Sequence, residues 1–217
     1  MVRPIKIVNW QSAVPAAEFS NACAAIVSQV AGEFAAAWPQ ASQVQLVPST
    51  GANVGDEAIW CVGNIAGASF LGEHMDQANV PVGLVLVQPS SSSAGGWAST
   101  LGHEVMEQIV DPWCVGGMFS TWLGKPAWLA LETADPVEDD CYGPLGNLSN
   151  FILPAWFIPG ASPPFDHMGR LHAPLTMTAG GYQSYYTGST WAQSYARNHA
   201  KLRHPYDRLS RRIRRGR

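Results

Sequence analysis

Apolar positions recur along the first half of the chain with two different spacings, and the changes between them mark out the elements. Ile5 to Trp10 reads as a short first strand. Pro15 then opens a helix predicted to run to about Trp38, with Val14, Phe19, Ile26, Val30 and Phe34 along a broad apolar face. Gln43 to Val47 alternates polar and apolar residues, as a half-buried strand does, and Ala58 to Val62 makes a third strand. Val82 to Val87 is continuously apolar, rich in β-branched residues and ended by Pro89. The run Ser90-Ser91-Ser92-Ser93-Ala94-Gly95-Gly96 has the composition of a flexible loop. It leads into a helix from about Trp97 to Val110, which stops at Asp111-Pro112 because the residue before a proline avoids the helical region.

This order predicts an α+β domain with helices packed on a mixed sheet. After Pro112 the regular spacing fades while Gly, Pro and Trp become frequent, so mostly loops are expected, with a short helix near Trp128–Asp135. There is no internal repeat. The division expected is one domain over residues 1–190 and a basic tail over 191–217.

The second helix carries the chemistry. In Gly102-His103-Glu104-Val105-Met106-Glu107-Gln108-Ile109-Val110-Asp111-Pro112, His103 and Glu107 lie four apart and so on one helix face, with Glu104 beside them. Leu101, Val105 and Ile109 form the adjoining stripe that would anchor the helix in the core. Two ligands one turn apart pre-set part of a metal's coordination, and a carboxylate one residue after the first can act as general base on a water at the metal. The pattern is close to His-Glu-x-x-His, with Glu107 where the second His would stand. A carboxylate there still ligates zinc, but it adds negative charge, weakens the Lewis acid and widens the choice to manganese or calcium.

A further ligand has to come from another segment. The best candidate is Ala130 to Asp140, where Glu132 follows Glu107 by 25 residues. Asp135 could ligate or could orient His103 through its second ring nitrogen. Asp111, two turns from His103, is another candidate, whereas Glu138, Asp139 and Asp140 read as solvated acids. His167 and His172, in a loop, and His74, ahead of the apolar strand, are weaker candidates. Tyr182, Tyr185 and Tyr186 could supply a hydroxyl, although aromatic packing explains them as well.

These residues resemble the gluzincin branch of the zincin metallopeptidases, in which a His-Glu-x-x-His helix is paired with a downstream Glu. They are more similar still to a group of phage and bacterial proteins with a Ser/Gly-His-Glu-x-x-Glu-x-x-x-Asp-Pro signature. In that group a Glu-x-x-Asp segment, an Asn-Phe-x-x-Pro-x-Trp-Phe stretch and Gly-Gly-Tyr follow; here these are Glu132–Asp135, Asn150–Phe157 and Gly180–Tyr182. The resemblance covers roughly residues 1–185. It implies a zincin-like fold with an active-site helix, a loop-rich C-terminal half and one divalent metal ion. Zinc is the first choice of metal, with manganese or calcium as alternatives. It implies His103, Glu107 and Glu132 as ligands, Glu104 as the base and peptide bonds as the substrate. It further implies that the strand Val82–Val87 pairs with an extended peptide. The alternative function is that of a phage virion structural protein using a degenerate zincin-like fold as an assembly scaffold.

Composition adds a partner question. Apolar residues make up 47% of the chain, ample for a core, but charged residues only 13%, about half the usual share. A surface so poor in charge suggests a partner subunit in a larger assembly. The net charge of −3 hides two opposed pieces. Up to residue 196 four basic residues face fifteen acids; beyond it nine basic residues, from Arg197 to Arg217, face Asp207 alone. The tail is expected to contact an acidic protein surface or nucleic acid, with a strong salt dependence in the second case. No apolar run is long enough to span a membrane. The start, Met1-Val2-Arg3-Pro4-Ile5-Lys6, does not read as a signal peptide, so the expected location is the cytoplasm of a host or a virion. Cys23, Cys61, Cys114 and Cys141 read as buried thiols, with a Cys114–Cys141 bridge as the rival.

Overall fold

The structure is a computed structural model that describes residues 2–68 and 70–196. The arginine-rich segment from Arg197, with the contacts expected of it, lies outside the described residues.

The N-terminal half forms a five-stranded mixed sheet in the order β2-β1-β3-β5-β4. Its strands are β1 (Arg3–Asn9), β2 (Val44–Ser49), β3 (Ala58–Val62), β4 (Gly72–Gln77) and β5 (Val80–Leu86). The first four in that order run parallel, and β4 runs antiparallel to β5 along one edge. The first helix, Ala16–Gln29, continues through a wide π turn over Val30–Phe34 to Ala37, close to the length its apolar face predicts.

The sequence pattern conceals β4, because its buried residues are Glu73, His74 and Asp76 and it has no apolar stripe. A two-residue turn, Ala78-Asn79, with both residues at positive φ (52° and 67°), folds it back onto β5. One expectation is thereby corrected: β5, which takes in the expected strand up to Leu86 while Val87 opens a short helical turn, is flanked by β3 and β4, so its backbone is already paired on both sides and cannot take up a peptide.

The site helix runs from Gly96 to Val110 and packs on β4 and β5. Leu101, Val105, Met106 and Ile109 are buried, each worth about 1.5–3 kcal/mol relative to exposure. His103, Glu104, Glu107 and Gln108 are buried too, so the polar face of this helix looks into protein and not into solvent. Its C-terminal carbonyls are capped by Arg3, whose Nη2 donates to the carbonyls of Gln108 and Ile109 at 3.3 Å each. A cation there also opposes the helix dipole. Asp111 ends the helix as expected; its Oδ1 accepts the N–H groups of Val115 (2.9 Å) and Gly116 (2.8 Å) and shapes the turn that follows.

The C-terminal half is more regular than the fading periodicity predicts. A four-stranded antiparallel sheet, in the order β11-β10-β7-β6, is built from β6 (Gly117–Trp122), β7 (Lys125–Ala130), β10 (Tyr182–Tyr186) and β11 (Trp191–Tyr195). A separate small pair, β8 (Cys141–Tyr142) and β9 (Leu148–Ser149), packs through β9 against the first helix and the site helix. The helix expected near Trp128–Asp135 does not form: Trp128–Ala130 belongs to β7, and only Asp135–Val137 makes a single 3-10 turn. The turn Leu123-Gly124, again with both φ positive, joins β6 to β7 where the sequence offers no Asn-Gly or Asp-Gly. Strand β11 also carries ordered structure past residue 190, where the tail was expected to begin. No helix among the described residues is long and apolar enough to cross a membrane.

Candidate metal centre

Three segments converge on one buried cluster of two histidines and four carboxylates. The edge strand β4 brings His74, the site helix brings His103, Glu104 and Glu107, and the extended segment after β7 brings Glu132 and Asp135. None of the six is more than 7% exposed.

Glu107 stands at the centre. Its Oε1 lies 3.2 Å from His103 Nε2 and accepts the N–H groups of Ala134 (3.1 Å) and Asp135 (3.3 Å). Its Oε2 lies 3.6 Å from His74 Nδ1. His103 Nε2 is also 3.2 Å from Asp135 Oδ1. On the other side, His74 Nδ1 is 3.5 Å from Glu104 Oε2, and His74 Nε2 is 3.4 Å from Glu132 Oε2. Two groups therefore have the composition and spacing to hold a metal ion: His103, Glu107 and Asp135, and His74, Glu107 and Glu132.

The first group is the more compact. One nitrogen of His103 faces both carboxylates at 3.2 Å, close to the edge of about 3.4 Å expected between ligands of a tetrahedral ion bound at about 2.1 Å. In the second group the two histidine nitrogens face different carboxylates, so His74 braces the acids on both sides. The donors are nitrogen and oxygen throughout, which suits zinc or manganese.

Electrostatics mark the same place. Burial opposes a charge on His103, but Glu107, Asp135 and Glu104 outweigh it and hold the imidazolium well above the usual histidine range. Burial would raise Glu107, yet His103, His74 and the Ala134 N–H bring it down to about 2. Asp135 is pushed up to about 7, first by burial and then by the charge of Glu107, against hydrogen bonds from His103 and Tyr182. Without a cation, protons have to hold this cluster together.

Glycines let the segments meet. A Cβ on Gly72 would lie 2.5 Å from Glu104 Oε1 and 2.8 Å from Thr100 Cγ2, so a side chain there would push both helix residues aside where β4 crosses the helix. A Cβ on Gly180 would strike the Asp139 carboxylate, and one on Gly181 the carbonyl of Pro136. That close approach delivers the Tyr182 hydroxyl to Asp135 and gives the Gly-Gly-Tyr motif a physical reason.

The remaining sequence candidates sit elsewhere. Asp111 is engaged by Val115 and Gly116 as described. His167 stacks on Phe151 at 5.0 Å and lies 3.6 Å from Glu33, and His172 is exposed. Glu132 does not join His103 directly, as the expected ligand set requires; it meets the cluster through His74, while Asp135 stands beside His103. None of the four cysteines forms a disulfide: Cys114 Sγ donates to the His74 carbonyl at 3.5 Å, and Cys141 Sγ lies 3.0 Å from Ser99 Oγ. A cavity of about 530 Å³ lined by Val115–Gly117, Trp128, Tyr186, Ser189 and Trp191 includes none of the six cluster residues. His74 is the residue that sequence reasoning undervalued; its only local sign is a stretch from Glu73 to Gln77 that is polar except for Met75, directly before a two-residue turn and an apolar strand.

No family model, no curated protein and no solved structure matches this chain.

Proposed function

We propose that the chain is a metal-dependent hydrolase of the zincin type, acting on peptide bonds. The observation that carries this is the compact set His103, Glu107 and Asp135, buried and mutually spaced for one ion, with Glu104 on the adjoining helical position. The antiparallel edge strand beside the site helix supports the zincin resemblance.

His103, Glu107 and Asp135 would hold a divalent cation, with Tyr182 fixing Asp135 through its hydroxyl. Bound there, the cation supplies Lewis acidity toward a water and a carbonyl oxygen. Glu104 takes the proton from the attacking water and returns it to the leaving amine. His74, facing Glu104 Oε2 at 3.5 Å, keeps that carboxylate aimed into the site. The two N–H groups on Glu107 Oε1 limit how much negative charge Glu107 adds, partly offsetting the exchange of a histidine for a carboxylate.

A second reading, a cation used as a structural clasp, is favoured by the depth of the cluster, since His74 is only 1% exposed. Glu104→Gln separates the two. The enzyme reading expects hydrolysis of a peptide library to fall about 100-fold or more while bound metal and Tm stay unchanged. A wild-type chain that holds metal and hydrolyses nothing leaves the clasp.

A further inference from the structure

The two candidate groups share one residue, and they use different atoms of it. His103 faces Glu107 Oε1, and His74 faces Glu107 Oε2. We infer that the centre is dinuclear: Glu107 bridges two divalent cations, one held with His103 and Asp135, the other with His74 and Glu132.

Charge points the same way. Four buried carboxylates with neutral imidazoles carry four negative charges, which one divalent cation half balances and two balance. With Glu104 counted beside the five ligands, the pocket holds two histidines and four carboxylates, the side-chain inventory of two-metal carboxylate centres in helical bundles. Cations sharing a carboxylate typically sit about 3.5–4 Å apart and can hold the attacking and departing oxygens of one displacement together. His74 has two ring nitrogens facing acids, so one can ligate while the other N–H donates to a neighbouring carboxylate, an arrangement common around ligating histidines. His74 would then belong to the centre as a ligand.

This inference rests on the metal-site reading above, and the test tells the two apart. The full chain is stripped with chelator, loaded with Mn²⁺, passed through a desalting column and assayed for metal per chain. Two ions per chain are expected, falling to one in His74→Gln and to none in Glu107→Gln. The wild-type electron paramagnetic spectrum should show an exchange-coupled pair in place of the hyperfine pattern of isolated Mn²⁺, a readout that stands even where a variant fails to fold. One ion per chain with the isolated pattern overturns the second site and leaves the first; no ion overturns both.

Discussion

Glu107 keeps its charge at a depth where a lone carboxylate would take up a proton. It does so because His103, His74 and the Ala134 N–H all favour the ionised form. Asp135, next to it, yields the opposite shift. These shifts fix how the metal-free protein responds to pH. Glu107, lowered, contributes stability above about 4.5 that is lost as pH falls toward 2. Asp135, raised, favours the folded form while protonated, so its contribution is lost as pH climbs from 3.8 through about 7. His103, also raised, contributes fully below 6.5 and loses that contribution as pH rises through its folded value. The Tm of chelator-treated protein should therefore be highest near pH 4, where the gain from Glu107 is nearly complete and the loss from Asp135 has only begun, and should fall toward pH 8. Added zinc or manganese should abolish the alkaline fall, because a cation replaces the protons. Calorimetry across pH 4–9 checks this; an unchanged alkaline fall in the presence of metal would contradict it.

Elements reach the cluster only where side chains are missing from the contact. Gly181 lies against the Pro136 carbonyl and sets Tyr182 at Asp135, so Gly181→Ala should destabilise by about 1–3 kcal/mol in thermal unfolding. It should also weaken metal binding, which a change at a surface turn would not do. The sequence discloses the elements that bury an apolar face: β1, β3, β5 and both helices are read nearly to their ends. Strand β4 is hidden because it buries Glu73, His74 and Asp76, and burial of acids is legible only once their partners are known. Strands β6 and β7 are hidden because their turn is Leu-Gly and their outward residues include Phe119 and Trp128, which erase the polar–apolar alternation. The helical part of the site was legible because four-residue spacing maps directly onto a face. Asp135 was legible as a partner of His103, but its preference over Glu132 was not, since an extended segment carries no such constraint.

Across the whole molecule the cluster joins the edge of one sheet, the central helix and the segment leaving the second sheet. A cation there pins both halves together. At a hundredfold excess over its dissociation constant it should add about 2.7 kcal/mol. The gain should appear as slower amide hydrogen exchange in β4, in the site helix and over residues 131–136 at once. Protection confined to the helix would argue against a clasp of three segments. The most direct test of the central claim is a crystal of the zinc-loaded full chain with anomalous data collected above and below the zinc edge. The account predicts an anomalous peak about 2.0–2.2 Å from His103 Nε2 and within bonding distance of Glu107 and Asp135. Zinc found only on surface residues, with the buried cluster closed by hydrogen bonds alone, would contradict it.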